Sequence, residues 1–415
     1  MGKTMQLQYD IVILGGGPAG VAAAVSARKF GAKVLLVERD GALGGMATNG
    51  LLNNYCGDAD SRYFRHIKKQ TEPLYLPAEN NRKQYSPEWL KLVLLDDIEK
   101  SGAELLLHAT LCGVQCGNGT ISAVTVATKS GLIDVAGKTF IDCTGDGDLA
   151  ALCGVPFDIG RDEDGLMQPL STEFMLGGVD DEHAEFVSTP EIREKLARAR
   201  KEGRMHDEVV AYIVLRGKDR GTAFVNMTNI THRDGSNVFD LTRAEVETRK
   251  QIPAIIRFLR EEVRGFANCY LASTAAYVGV RESRRFRGLS QITGEDVRTG
   301  RVFEDRITNG VTYGFGVHDP TASKGNGGSR PPYEGLYYTI PYSATVPVGM
   351  NNLLLAGRCI SGTHIALSSY RVIPICLAMG EGVGTCAAFA LQKGLDACKL
   401  TLSDLAEVQN SIRSA

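Results

Sequence analysis

The sequence has no excess of charge of either sign, with 46 lysines and arginines set against 48 aspartates and glutamates. Such a chain has no broad electrostatic field with which to hold a polyanion or an anionic lipid surface, so neither nucleic acid nor membrane is an expected partner. A leader-like apolar segment is missing from Met1 to Asp10, and no later apolar run is read as long and charge-free enough to span a bilayer. A cytoplasmic protein is expected. The ten cysteines (Cys56, Cys112, Cys116, Cys143, Cys153, Cys269, Cys359, Cys376, Cys386 and Cys398) include no Cys-x-x-Cys pair and follow no regular spacing. This argues against a disulfide framework and against a dithiol reductase, and leaves reduced, mostly buried thiols. Cys112 and Cys116 come nearest to a motif but have no nearby histidine or cysteine to complete a zinc site, and no metal is expected. Internal repeats and low-complexity segments are absent too.

What is present is a chain of 415 residues, longer than one core usually supports, so two or three structural units are expected. Tyr9 to Leu14 reads as a strand running into glycines. Ala19 to Phe30 carries apolar residues at helical spacing, and Lys33 to Val37 reads as a second strand ending in Glu38. Ser86 before Pro87 is a helix N-cap pattern, opening an amphipathic helix that runs to about Lys100 and stops at Gly102. Glu104 to His108, Ile121 to Thr128, Leu132 to Val135 and Lys138 to Cys143 follow as short strands that complete a sheet with an antiparallel meander.

From about Pro156 the texture turns polar, with helices expected over Pro190 to Glu202 and Thr242 to Val263, and Gly325 to Gly328 reads as an exposed glycine-rich loop. Apolar patterning returns with a strand over Asn352 to Ala356 and a long helix of small residues from Pro374 to Gln392. The expected architecture is α/β. A Rossmann-like nucleotide-binding domain, with a parallel sheet and an antiparallel meander, is built from residues 1–155 and 341–415, and an α+β substrate or cap domain is inserted at 156–340.

Gly15-Gly16-Gly17-Pro18-Ala19-Gly20 fits G-x-G-x-x-G between a strand and a helix, with an acidic residue closing the next strand. In that context the first glycine permits the turn, the second lets the backbone approach a pyrophosphate, and the third lets the helix pack on the sheet. Backbone N–H groups at the helix start then hold the diphosphate, and Glu38 is placed to accept hydrogen bonds from the adenosine ribose. NAD and FAD share this fingerprint. The order of three later glycine turns favours FAD: Gly44-Gly45-Met46-Ala47-Thr48, Thr144-Gly145-Asp146, and Ala356-Gly357-Arg358. Candidate cofactor contacts are therefore Gly15, Gly17, Pro18, Ala19, Gly20, Glu38, Arg39, Gly44, Gly45, Met46, Thr48, Thr144, Gly145, Asp146, Gly357, Arg358 and Ser369.

These motifs, together with Phe140 to Ala151, Gly279 to Arg285 and Ala356 to Ala388, resemble the FAD-dependent oxidoreductases allied to the glutathione reductase and fumarate reductase flavoproteins. The resemblance runs over nearly the whole chain and implies noncovalent FAD and an oxidoreductase role. It does not supply a substrate.

Independently of it, a helix starting near Pro374 would aim its positive end at the flavin pyrimidine edge, and Ala378, Gly380, Gly382 and Gly384 would let it lie close to the core. His364 is the leading histidine for proton transfer beside the flavin, or else only a backbone-bonded imidazole, with His318 second. Arg281, Arg284 and Arg285 either clamp an anion or join a network with Glu282, Glu295 and Asp296. Arg371 is the preferred anion contact. Tyr337, Tyr338 and Tyr342 either line the pocket or pack. The expected activity is hydride exchange between flavin N5 and a small polar or anionic molecule, with the electron partner unassigned and a homo-oligomer left open. Rival readings are an NAD(P)-dependent dehydrogenase, a non-catalytic flavin-binding redox sensor, and a nucleic-acid-modifying flavoprotein.

Overall fold

The computed structural model describes residues 5–72, 84–322 and 336–414, and the glycine-rich stretch Gly325 to Gly328 lies outside them. Strand β1 (Met5–Leu14) leads into helix α1 (Pro18–Arg28) and strand β2 (Val34–Val37). Strand β3 (Asp58–Ala59), helices α2 (Arg62–Gln70) and α3 (Pro87–Ser101) and strand β4 (Glu104–Leu106) follow. The meander is β5 (Thr110–Gly117), β6 (Thr120–Thr128) and β7 (Gly131–Asp142), succeeded by α4 (Asp148–Leu152) and β8 (Phe157–Asp158). The cap contributes β9 (Phe174–Gly177), α5 (Pro190–Lys201), β10 (Val214–Arg216), β11 (Ala223–Val225), α6 (Val238–Glu262) and β12 (Tyr270–Thr274). The chain returns through β13 (Arg285–Phe286), α7 (Gly294–Thr299), β14 (Val311–Thr312), β15 (Leu353–Leu355), α8 (His364–Tyr370), α9 (Ile373–Lys393) and α10 (Leu402–Ser414).

The main sheet pairs β4, β2, β1 and β7 in parallel, with β15 also parallel to β7, while β5 and β6 attach antiparallel to the other half of β7. The expected Leu132–Val135 and Lys138–Cys143 strands are one continuous strand. β1 pairs along its whole length, from Met5 opposite Ile133 to Leu14 opposite Asp142, and carries β7 straight through Gly137. The glycine marks instead the change of partner from β6 to β15. The end of β1, Ile11 to Leu14, is buried on both faces, as a parallel strand under helices must be, hence its unbroken apolar run.

The α3 capping pattern forms as read: the Ser86 side chain accepts from Trp89 N, and Gly102 closes the helix in the left-handed region.

The cap builds its own four-stranded sheet, β10-β11-β9-β12, packed with α5 and α6 around Phe174, Leu196, Phe258 and Phe266. It ends earlier than the expected boundary at 340. β13 pairs back on β8, and Phe286, Ile292, Ile307, Val311 and Ile340 are buried in the main core. That stretch is polar and aperiodic in sequence because it reaches the core through isolated apolar residues rather than through a helix or long strand.

Contrary to the expectation that no apolar run reaches bilayer length, α9 is long and apolar enough to cross a membrane, yet its apolar window is entirely buried inside the fold. Its one interior charge, Glu381, accepts a hydrogen bond from Ser61 Oγ at 2.7 Å. Glycines make the burial possible. A Cβ at Gly380 would stand 2.1 Å from Ala19 O and one at Gly384 2.3 Å from Ala23 O, so the backbones of α9 and α1 meet directly. Gly384→Leu, which must part these helices, is expected to cost about 3 kcal/mol or more, read as a lower denaturant midpoint.

Candidate active site

The carboxyl ends of β1, β2, β7 and β15 open into a cavity of about 350 Å³ roofed by the cap, the place where open parallel sheets bind ligands. Gly15, Gly17, Pro18 and Ala19 form one wall. Gly15 has φ +98°, and a Cβ there would lie 2.4 Å from Cys143 O. One at Gly20 would lie 1.8 Å from Gly15 O, so Gly20 serves the turn from behind rather than lining the cavity. A Cβ at Gly17 would meet nothing within 4 Å. Gly17 is the N-cap of α1, and the first turn has neither a side-chain cap nor an acidic residue. An uncapped helix N-terminus at a cavity wall is what a diphosphate requires, so the residues fit the dinucleotide.

Glu38 follows β2. Its Oε2 accepts from Gly16 N at 2.5 Å and its Oε1 from Asp40 N at 2.8 Å. Burial pushes this carboxyl up, opposed by those two N–H groups. Glu38 therefore ties the glycine turn to the end of β2 while still lining the cavity beside Arg39, whose guanidinium lies over the Tyr277 ring of the cap connection, 5.4 Å from its centroid. Gly45, Met46, Thr144, Gly145, Asp146, Gly357 and Arg358 also line it, bringing the four glycine turns together.

Asp142, at the end of β7, holds the third turn by accepting from Thr144 N, Thr144 Oγ1 and Ala150 N, and burial pushes it up to about 6. Three further expected contacts stand, like Gly20, behind the lining. Gly44 (φ +104°) donates its N–H to Gly16 O at 2.8 Å. Thr48 Oγ1 donates to Leu43 O at 2.6 Å, and Ser369 Oγ donates to Tyr313 O at 2.5 Å and pairs with the Tyr338 hydroxyl. They brace the turns and the pocket wall.

The arginine cluster divides. Arg284 is held by Asp146 O and Asp148, and Arg285 by Glu282, Gly160 O and Gly362 O. Neither clamps a ligand. Glu295 and Asp296 pair instead with Arg298 and Arg301, so of the expected network only Glu282 forms. Arg281 alone of the three lines the cavity, where it meets Arg371 from the end of α8. Arg281 Nη1 donates to Pro169 O at 2.7 Å and Nη2 to Asn226 Oδ1 at 3.1 Å. Arg371 Nη2 donates to Gly316 O at 3.1 Å, while its buried Nε makes no hydrogen bond among the described residues. Burial, and then the like charge of Arg371, pulls the Arg281 guanidinium down. Both stay charged at neutral pH.

His364 is a correction. It does not line the cavity: its ring is buried, with Nδ1 at 2.9 Å from Glu282 Oε1, inside the pair that Glu282 makes with Arg285. An imidazole so enclosed positions Glu282 and does not face the cavity. His318 does line it. Tyr338 and Tyr342 are core residues and Tyr337 is exposed, so none of the three forms the pocket.

Two residues were not anticipated. Glu173, just ahead of β9, and Asn226, just after β11, face the cavity from adjacent cap strands, and Asn226 Nδ2 donates to Glu173 Oε1 at 2.7 Å. Burial pushes the Glu173 carboxyl from its ordinary 4.5 up to about 8, with Arg281 opposing. The folded protein thus binds this proton more tightly than the unfolded chain. The contribution is complete below about pH 4.5 and lost as pH rises through about 8. Wild-type thermal midpoints are expected to fall across that window and those of Glu173→Gln to stay flatter.

The model of a family described as FAD dependent oxidoreductase matches residues 10–412. Among curated proteins, a digeranylgeranylglycerophospholipid reductase of Thermoplasma acidophilum is 27% identical over 155 residues, covering 33% of this chain and 39% of that protein. A soluble pyridine nucleotide transhydrogenase of Pseudomonas aeruginosa is 31% identical over 156 residues, covering 33% and 30%. The chain thus matches less than half the length of these relatives. Of solved structures, that of BexE, from a study of oxidation during BE-7585A biosynthesis, has a TM-score of 0.52 at 13% identity, covering 98% of this chain and 67% of that one, a likeness of fold alone.

Proposed function

The chain belongs to the FAD dependent oxidoreductase family, and from that premise we propose that it exchanges a hydride between flavin N5 and a small organic anion bound at Arg281 and Arg371. The observation that carries this reading is a pair of guanidiniums at one cavity wall, Arg281 buried and Arg371 half-buried with its Nε enclosed. Neither is in an ion pair among the described residues, and Arg371 Nε is left without an acceptor. Buried charge left so costs several kcal/mol, which a carboxylate or phosphate on the ligand offsets.

Bound FAD supplies the hydride chemistry at N5. Gly15, Gly17 and the α1 N-terminus hold its diphosphate, and Glu38 meets the ribose. Val372 and Ile373, the N-cap and first residue of α9, line the same cavity, and that helix start has no side-chain cap and no acidic residue in its first turn. Its positive end therefore favours negative charge in the cavity. The cap strands close the opposite side with Glu173 and Asn226, which limits water where the anion sits. Kinship with the glutathione reductase and fumarate reductase flavoproteins is part of this proposal, and membership of the FAD family disfavours a cofactor of NAD(P) alone.

Titrating the FAD-loaded protein with oxalate tests the reading. A saturable shift of the flavin absorbance, weakened by chloride, is expected. A spectrum and a calorimetric trace unmoved by oxalate would remove the anion from the proposal.

A further inference from the structure

We infer that Glu173 carries the proton of the reaction: the anionic substrate binds at Arg281 and Arg371 together with a proton on the Glu173 carboxyl, and that proton is exchanged with the substrate. The inference rests on the anionic-substrate reading of the same site.

Glu173 is 5% exposed and lines the cavity. Among the described residues its carboxyl has one hydrogen bond, from Asn226 Nδ2 to Oε1, and no ion pair. Asn226 is itself fixed, because its Oδ1 accepts from Ser171 Oγ and from Arg281 Nη2, both at 3.1 Å. The amide therefore presents its N–H to Glu173 and leaves Oε2 as the site for a proton. A carboxyl held at one oxygen and unpaired at the other, inside a ligand cavity, is placed to pass a proton.

The other titratable or charged groups of this cavity are Arg281 and Tyr277 after β12, Arg371 after α8, Tyr313 and His318 after β14, Cys56 before β3, Glu38, Arg39 and Asp40 after β2, Cys143, Asp146 and Asp148 after β7, Arg358 after β15 and Cys376 in α9. Tyr85 also feels the charge of Glu173 and Cys56, and burial pushes it well up, so it remains a neutral phenol. With the acid protonated, the two guanidiniums attract an anion unopposed. Once it ionises, its own charge answers theirs and repels the ligand. Burial of the carboxyl holds it protonated at neutral pH.

The proton balance is simple. When an unsaturated substrate is reduced, one atom of its double bond gains a hydride and the other gains the Glu173 proton. The substrate takes up two electrons from the reduced flavin, and the carboxylate left behind is reprotonated from water.

The test uses the FAD-loaded protein, oxalate as probe, and a pH indicator in weak buffer, with no turnover required. For wild type, oxalate affinity is expected to fall about tenfold per pH unit above about 8, and binding near pH 9 to take up close to one proton per site. Glu173→Gln should bind oxalate with affinity flat in pH and without proton uptake, and Glu173→Asp should restore both dependences. Proton uptake that survives in Glu173→Gln and vanishes in His318→Asn would move the role to His318 and overturn the inference. A wild-type affinity independent of pH would also overturn it while leaving the anion site standing. Failure of oxalate to bind any of these proteins would remove the anionic-substrate reading and this inference with it.

Discussion

Gly15→Val is expected to yield a colourless protein that takes up no added FAD. At φ +98° a β-branched residue is strained by at least 1–2 kcal/mol, on the order of the left-handed penalty. The larger effect is steric. The new Cβ would stand 2.4 Å from Cys143 O and 2.8 Å from Thr144 Cα, both backbone atoms that no rotamer can move aside. The turn between β1 and α1 must open, and with it go the start of α1 and the Gly16 N–H that Glu38 accepts. Absorbance of the purified variant, with circular dichroism to confirm that the rest has folded, reads the result. A yellow, FAD-loaded Gly15→Val would mean that the diphosphate does not depend on this turn.

The second large effect is at Arg371. Arg371→Met keeps much of the side-chain volume and removes the charge, and oxalate affinity is expected to drop about 100-fold or more, on the order of 3 kcal/mol, as for truncation of a buried charged partner. Arg371→Lys should recover only part of this, because a single ammonium cannot offer two parallel donors. FAD content should stay near the wild-type level in both, since the diphosphate and ribose are held by Gly15, Gly17, the α1 N-terminus and Glu38 rather than by Arg371. Arg281 is a poorer first target, being also the donor that fixes Asn226 and Pro169 O.

The parts of this account that were legible in the sequence share a physical property: their signal is local. Gly15 to Gly20 between an apolar run and an alanine-rich helix, Ser86 before Pro87, and the small residues of α9 each state their requirement within a few positions. The later glycine turns were legible through their order along the chain, which the strand sequence of the sheet then gathers at one edge.

What was hidden depends on tertiary neighbours. Glu173 and Asn226 are 53 positions apart and meet because β9 and β11 pair. Nothing in Ser171-Thr172-Glu173-Phe174 sets that glutamate apart from a solvated strand end. His364 misled for the opposite reason. Its place in the chain between β15 and α9 suggested the flavin, but Glu282, 82 positions earlier, captures the ring. Local sequence divides the single strand β7 at Gly137, because it shows a glycine break and cannot show that β1 spans it.

The central claim is that this FAD oxidoreductase acts on a small anion, and the most direct measurement is anaerobic flavin absorbance against a panel of small carboxylic acids, each beside its neutral amide. Oxidised protein reports bleaching by saturated acids, and dithionite-reduced protein reports recovery of colour with unsaturated ones. The account predicts a response to at least one acid, none to the matching amide, and loss of that response in Arg371→Met. Equal rates with acid and amide, or a response unchanged in Arg371→Met, would contradict it.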